Sequence, residues 1–167
     1  MARKVFYSFY FTKDSHRVSQ VKQMGVIEGQ PLLSSNQWEE VKKGGDKAIE
    51  KWIADEMKGK SCLVVLIGSA TAGRKWVNHE IKKAWDDEKG VVGVYIHNLK
   101  NLSGKQDSQG ANPFSGTTVG DVKKDLSTVV NAHNPPYTTS TYVYDDIKDN
   151  LADWVEKAIT IRKEFTG

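Results

Sequence analysis

The chain has 167 residues, of which 38% are hydrophobic, and this is enough for one substantial core but too little for two. We therefore expect a single domain over residues 1–167. The 24 basic and 21 acidic residues are interspersed and leave a net charge of +3, without the basic block or stripe of a nucleic-acid-binding protein, so nucleic acid is not an expected partner.

The sequence carries no sign of export or of membrane insertion. Residues 1–10 enter directly into a strand-like pattern, without the apolar stretch and cleavage site of a secretory signal. The longest apolar run, Cys62–Ile67, is far shorter than the roughly 20 residues that cross a bilayer. The one cysteine lies inside this run, as a buried thiol would. These features predict a cytoplasmic protein without a membrane span.

The amino-terminal segments alternate between strand and helix patterns. Residues 4–9 are rich in β-branched and aromatic side chains, which predicts a first strand. Asp14 or Ser15 could cap a helix that runs to about Met24. Residues 25–29 form a short apolar piece between glycines and predict a small second strand at a sheet edge.

The next segments are a polar stretch, a helix and a buried strand. Residues 30–45 predict a loop that exposes one large aromatic side chain, Trp38. Residues 46–57 carry apolar side chains at helical spacing and predict an amphipathic helix. The continuous apolar run Cys62–Ile67 is typical of a parallel strand that is covered by helices on both faces, and it predicts the third strand.

The second half of the chain begins with a further helix. After a short turn, four apolar side chains form one helical stripe: Val77, Ile81, Ala84 and Trp85. Residues 91–96 predict the fourth strand, and residues 98–136, rich in glycine, proline and polar residues, predict mostly irregular structure. Residues 141–144 predict a fifth strand, and Asp145 predicts the start of a final helix.

Strands that alternate with helices define an α/β fold class. Five strands joined by right-handed crossovers predict a doubly wound parallel sheet in the order 2-1-3-4-5. In such sheets, ligands bind beyond the carboxyl ends of the strands, where the winding direction reverses. The segments that follow the first and third strands are therefore the candidates for a functional site.

Trp76 and Glu80 form one local unit on the helix after the third strand, because side chains four residues apart on a helix can touch. An aromatic face can stack on a flat heterocycle while the carboxylate stabilises positive charge at a ribose carbon. This chemistry suits the loss of nicotinamide from NAD. The alternative is structural, since a Trp beside a helix stripe is usually core and a Glu near a helix start usually favours the dipole.

Two stretches of the sequence resemble TIR domains. Residues 5–17, with Val-Phe-Tyr-Ser-Phe followed by an Asp-x-x-Arg motif, are similar to the opening strand and first loop of the family. Residues 66–81 are similar to the stretch in which a Ser-containing turn leads into Trp-Cys-x-x-Glu-Leu. The catalytic glutamate of NAD-cleaving TIR domains falls on Glu80, and Trp76 takes the place of the family's tryptophan.

Three segments resemble a small group of TIR-like proteins that includes the ThsB proteins of Thoeris anti-phage systems: residues 38–40, 67–77 and 112–114. This resemblance implies a TIR/flavodoxin-like fold and an enzyme that uses NAD as a substrate, with no other cofactor and no metal. It also implies a cyclic ADP-ribose-type signal that is made after infection and activates a separate effector protein. Self-assembly with other TIR domains is a further expectation.

The resemblance and the predicted sheet edge assign catalysis to Glu80. They assign substrate binding to seven other residues: Ser8, Phe9, Tyr10, Phe11, Trp38, Ser69 and Trp76. One departure from the family is that Tyr10 stands where many NAD-cleaving TIR domains have an arginine. Arg17, Arg74 and Lys75 are the alternative sources of positive charge for the phosphates.

Other functional classes fit the sequence less well. Gly68 and Gly73 have the spacing of a P-loop, but the required Lys followed by Ser or Thr is missing. A phosphorylated receiver domain needs aspartates at the ends of the first and third strands, where Ser8 and Gly68 stand. The four histidines show no metal-ligand spacing. The alternative function that stays open is a non-catalytic TIR-type interaction module, which the missing arginine favours.

Overall fold

Five helices surround a parallel sheet in the computed structural model, which describes residues 2–166. The helices are α1 (Phe11–Gln23), α2 (Ser35–Lys43), α3 (Gly45–Met57), α4 (Lys75–Asp86) and α5 (Ser140–Glu164). The strands are β1 (Val5–Ser8), β2 (Cys62–Ile67), β3 (Gly90–Tyr95), β4 (Thr118–Val119), β5 (Lys124–Asp125) and β6 (Ala132–His133). None of the helices in residues 2–166 combines the length and the apolar content that a bilayer span requires.

The main sheet is parallel throughout, in the order β1-β2-β3-β6, while β4 and β5 form a separate antiparallel hairpin. Outside β1, Lys4 and Glu28 form one isolated parallel bridge. The bridge at Glu28 takes the outer position beside β1. The resulting order, from the Glu28 bridge through β1, β2 and β3 to β6, corresponds to the predicted order 2-1-3-4-5. The α/β class and the TIR/flavodoxin-like arrangement of the sheet are therefore confirmed.

The core consists of two apolar layers on opposite faces of the sheet. Side chains of β2 alternate between them: Val64 and Leu66 face the layer that contains α1 and α5, and Leu63 and Val65 face the layer that contains α3 and α4. Every residue of β2 is buried. The unbroken apolar run therefore predicted the bounds of this strand correctly, because a strand covered on both faces needs apolar side chains at every position.

The predicted second strand, residues 25–29, is reduced to the single bridge at Glu28. The Glu28 carbonyl accepts a hydrogen bond from the Val5 N–H at 2.7 Å. Beyond it, the side-chain amide of Gln30 bonds to both the N–H and the carbonyl of Tyr7, at 2.8 and 2.9 Å. The Gln30 side chain thus satisfies the backbone N–H and carbonyl groups at the edge of β1, where backbone pairing was expected. The predicted second strand therefore does not continue beyond the bridge.

The prediction of a fifth strand at residues 141–144 is wrong. These residues belong to α5, and Asp145 lies inside the helix, which begins at Ser140. The apolar side chains that face the sheet follow helical spacing: Val143, Ile147, Leu151 and Val155. The fifth position of the sheet is taken by β6, within the 98–136 segment that is otherwise mostly irregular, as predicted.

Two helix starts also differ from the prediction. Residues 30–45 contain α2, whose amino terminus has a capping box between Ser34 and Gln37. α1 begins at Phe11, so Asp14 lies inside the helix, where its carboxylate is buried and caps nothing. These local signals were present in the sequence, but the polar composition of 30–45 obscured the first of them.

Candidate active site

An aromatic cavity of about 360 Å³ lies beyond the carboxyl end of β1, between α2, α3 and the start of α4. Eight aromatic side chains line it: Phe6, Tyr7, Phe9, Tyr10, Phe11, Trp38, Trp52 and Trp76. The helix that follows β1 packs on one face of the sheet and the helix that follows β2 packs on the other. The cavity thus occupies the point where the winding direction reverses, and its volume falls in the range of small-molecule sites.

Glu80 is the acidic group of this cavity. It lies on α4 between the core residues Val77 and Ile81, and its side chain is only 8% exposed. Its Oε1 atom accepts a hydrogen bond of 2.6 Å from the hydroxyl of Ser8, the last residue of β1. Because Ser8 is fully buried and held in register with Val65 of β2, this bond fixes the carboxyl group against the sheet.

Burial raises the pKa of Glu80 to about 8, although the hydrogen bond from Ser8 acts in the opposite direction. In this protein environment the carboxyl group is therefore mostly protonated at neutral pH. A cation that enters the cavity would favour the ionised form, because opposite charges in a buried site attract strongly. The site is thus suited to a ligand that carries or develops positive charge.

Two tryptophans provide flat apolar surface in the cavity that contains Glu80. Trp76 lines the cavity from the first turn of α4, with its ring centroid 5.5 Å from that of His79. Trp38 lies on α2, with ring centroids 6.1 Å from Phe11 and 6.0 Å from Trp52. The prediction of an exposed Trp38 in a loop is therefore wrong, since this side chain is half-buried and helical. Its ring nevertheless faces the cavity, as a stacking residue would.

The segment 9–11, which joins β1 to α1 and includes the first residue of that helix, brings three predicted binding residues to the cavity: Phe9, Tyr10 and Phe11. The rings of Phe9 and Phe11 lie 6.4 Å apart. The guanidinium carbon of Arg74 lies 3.7 Å above the ring of Tyr10. This segment therefore extends the aromatic lining of the cavity, and the Phe11 ring lies beside Trp38 of α2.

The structure does not place Ser69 among the residues that line the cavity. Its hydroxyl accepts a hydrogen bond of 2.7 Å from Lys13 and donates one of 2.6 Å to Asp107. Burial alone would raise the pKa of Asp107, but hydrogen bonds from Ser69, Lys13 and the Ser108 N–H overcome this effect and lower it to about 2. Ser69 connects the loop after β2 to the loop after β3.

Arg17, one of the three candidates for phosphate binding, is not available for that role. It is 1% exposed and bonds to Asp14 at 2.9 Å, to the Leu99 carbonyl at 2.7 Å and to the Lys105 carbonyl at 3.0 Å. Gly68 packs directly on the Asp14 carboxylate, since a Cβ atom at this glycine would lie 2.1 Å from Oδ2. The Asp-x-x-Arg motif is thus a structural element below the site.

Two further lining residues were not identified from the sequence. Gln30 is 2% exposed and holds the 30–33 segment against β1 through its bonds to Tyr7. Trp52 was interpreted as part of the apolar stripe of α3, whereas it is half-buried and lines the cavity. No spacing or motif marks a lone Gln in a polar segment, so only the three-dimensional structure shows its role.

A flavodoxin-like sheet with a buried carboxyl group and an aromatic cavity at its switch point defines an α/β domain of the TIR type. The sequence model of the family described as "Thoeris protein ThsB, TIR-like domain" matches residues 6–101. The chain therefore belongs to this family, which confirms the resemblance. The matched residues include Ser8, Trp76 and Glu80.

A curated relative from Bacillus cereus (strain MSX-D12) carries the name "Putative cyclic ADP-D-ribose synthase ThsB1". It is 33% identical to this chain over 119 residues, and the match covers 68% of this chain and 62% of the relative. The chain thus spans less than two thirds of the length of that relative.

Proposed function

We propose that this protein is an anti-phage signalling enzyme that binds NAD in the aromatic cavity and cleaves the bond between nicotinamide and ribose. The observation that carries the proposal is the buried Glu80 carboxyl group, which is held by Ser8 at 2.6 Å inside a cavity lined by aromatic rings. The name of the relative, "Putative cyclic ADP-D-ribose synthase ThsB1", supports the same reaction. Ser8 and Glu80 both lie within the region that matches the TIR-like family.

The proposed reaction uses the charge of the substrate. The nicotinamide ring of NAD is cationic, and the electrons of the bond from C1′ pass to the ring nitrogen, so that nicotinamide leaves as a neutral molecule. Positive charge then develops at C1′, and the Glu80 carboxylate stabilises it. A nucleophilic nitrogen or hydroxyl oxygen of the adenosine half of the same molecule then bonds to C1′. The positive charge passes to that half and leaves it as a proton, which gives a cyclic ADP-ribose-type product.

The aromatic walls would supply most of the binding energy and hold the two bases. Trp76 is adjacent to Glu80 on α4 and is the natural partner for the nicotinamide ring. Trp38 also lines the cavity and is available to the second heterocycle. Stacking of both bases would also bring the adenine ring toward C1′, which favours an intramolecular bond over hydrolysis.

In this proposal the product leaves the cavity and activates a separate effector protein. The competing function is a non-catalytic TIR-type interaction module, in which Glu80 has no chemical role. The two functions differ in what happens when Glu80 becomes Gln, because Gln has nearly the same shape and cannot carry negative charge. Signalling by an interaction module would survive this change, whereas signalling by an enzyme would not.

The test is mass spectrometry of NAD-derived products from purified protein and from phage-infected cells that express it. Wild-type protein should give a cyclic product, and Glu80→Gln should give none while it stays folded. Glu50→Gln, an exposed change on α3, is the matched control and should retain activity. Equal product from Glu80→Gln, or no product from infected cells with wild-type protein, would overturn the proposal.

A further inference from the structure

Three cationic side chains line the cavity, and they differ in their partners: Lys42, Arg74 and Lys75. Lys42 pairs with Glu39 at 2.9 Å, and Lys75 pairs with Asp46. Arg74 has no carboxylate within 4 Å among residues 2–166. It is therefore the cation of this cavity whose charge is not already neutralised by the protein.

The guanidinium group of Arg74 is held by two contacts. Its Nε atom donates a hydrogen bond of 2.9 Å to the Ala70 carbonyl, and its central carbon lies 3.7 Å above the ring of Tyr10. Its two terminal nitrogens donate no hydrogen bond to residues 2–166. A planar fork with free donors matches the oxygen atoms of a phosphate, and prior orientation reduces the entropy lost on binding.

The position of Arg74 along α4 also fits a ligand that reaches Glu80. Arg74 is the N-cap of α4 and Glu80 is six residues further on, so their Cα atoms are about 9 Å apart along the helix axis. A ribose and its 5′-phosphate fill a gap of this kind. The helix dipole adds favourable potential for an anion at the Arg74 end.

We infer that Arg74, supported by the ring of Tyr10, binds the pyrophosphate of the dinucleotide. This inference rests on the proposed use of NAD by the same cavity. It explains the departure noted in the sequence, where Tyr10 stands at a position that holds arginine in many NAD-cleaving TIR domains. The Tyr10 ring stacks against Arg74, which comes from the start of α4. A different segment of the chain therefore supplies the positive charge.

The test is a calorimetric titration of ADP-ribose, which contains the pyrophosphate but no bond to nicotinamide. Arg74→Gln should weaken binding roughly 10- to 100-fold, the usual effect of losing hydrogen bonds to a charged group. Arg74→Lys should recover part of the loss, because it keeps the charge but not the planar fork. The matched control is Arg162→Gln, since Arg162 also stacks on an aromatic ring, Trp85 at 4.4 Å, but lies outside the cavity.

Tyr10 is a positioning residue, and its variants give a second readout. Tyr10→Phe keeps the ring that lies under Arg74 and should raise the KM for NAD much less than Tyr10→Leu does. Tyr10→Leu removes this ring and should raise the KM several-fold, with a much smaller change in kcat. Equal KM values for the two variants would contradict a role for the ring in holding Arg74.

The outcomes separate this inference from the proposed function. Arg74-dependent binding of ADP-ribose by a protein that never consumes NAD would support the inference and overturn the proposed function. The opposite outcome is cleavage of NAD by the wild-type protein together with an affinity for ADP-ribose that Arg74→Gln does not change. This outcome would support the proposed function and overturn the inference about Arg74. Failure of the wild-type protein to bind ADP-ribose at millimolar concentration would also overturn the inference.

Discussion

The Ser8 hydroxyl donates a hydrogen bond of 2.6 Å to Glu80 across 72 residues of sequence. Ser8 ends β1, and Glu80 lies in the second turn of α4, which follows the neighbouring strand β2. The position of the carboxyl group therefore depends on the register between two parallel strands. The buried bond also couples the ionisation of the site to the stability of the fold.

The first prediction concerns this coupling. Unfolded Glu80 ionises near pH 4.5, whereas burial raises its pKa in the folded state to about 8. Between these values the folded state retains a proton that the unfolded state has released, so stability falls as pH rises through this window. Glu80→Gln removes the titration and should make the protein more stable than wild type at pH 8, by an amount on the order of a few kcal/mol.

Urea unfolding of both proteins at a series of pH values measures this difference. The gap in the free energy of unfolding should be small near pH 4.5, grow up to about pH 8 and stay constant above it. Glu50→Gln is the control, because its carboxylate is exposed. A gap that does not change with pH would show that Glu80 is already ionised in the folded protein.

The second prediction concerns the pH dependence of activity. In the proposed reaction the ionised form of Glu80 stabilises charge at C1′, so kcat/KM should increase about tenfold per pH unit below pH 8 and level off above it. The bound nicotinamide cation favours the carboxylate, so the corresponding limb of the kcat profile should lie at lower pH. Steady-state rates between pH 5 and pH 9 test both statements, and a kcat/KM that is flat in this range would contradict the assignment of Glu80.

The third prediction concerns Ser8. Its hydrogen bond lowers the pKa of Glu80, so Ser8→Ala should raise that pKa further above its normal value. The acid limb of kcat/KM should move to higher pH, and activity at pH 7 should drop roughly tenfold. Activity should recover at high pH, which a simple loss of structure would not allow. Ser103→Ala, at an exposed position in the loop after β3, serves as the control.

The fourth prediction concerns stacking by Trp38. Trp38→Ala should raise the KM for NAD roughly 5- to 100-fold, because loss of one stacking partner for a base costs about 1–3 kcal/mol. Trp38→Phe keeps an aromatic ring and should have a smaller effect. Tyr142→Ala changes an aromatic side chain that is 59% exposed and is not part of the cavity, so its KM should match that of the wild type. Equal KM values for Trp38→Ala and Tyr142→Ala would exclude a binding role for Trp38.

The fifth prediction concerns the buried pair below the site. Burial raises the pKa of Asp14 even though Arg17 opposes this effect. Asp14→Asn leaves the Arg17 charge without its partner and should destabilise the fold by about 3–5 kcal/mol. Asp55→Asn, which breaks an exposed ion pair with Lys51, should have little effect in the same unfolding experiment. Similar midpoints for the two variants would contradict a structural role for the buried pair.

The sequence alone determined the features that depend on local spacing. The bounds of β2, Cys62–Ile67, followed from an unbroken apolar run, and α3 and α4 followed from apolar side chains at helical intervals. The proximity of Trp76 and Glu80 followed from a spacing of four residues on one helix. The family followed from two motifs, one on β1 and α1 and the other on β2 and α4. Such signals are carried by neighbouring residues, so they can be recognised without knowledge of long-range contacts.

Only the tertiary structure decided which groups meet at the site. The side chain of Gln30, and not a second strand, bonds to the edge of β1. Arg17 is buried and bonds to the Leu99 carbonyl, and Arg74 lies over the ring of Tyr10. The fold also encloses Glu80 so that its pKa rises to about 8. These outcomes depend on contacts between residues that are far apart in sequence, and burial and hydrogen bonding across such distances leave no periodic pattern in the chain.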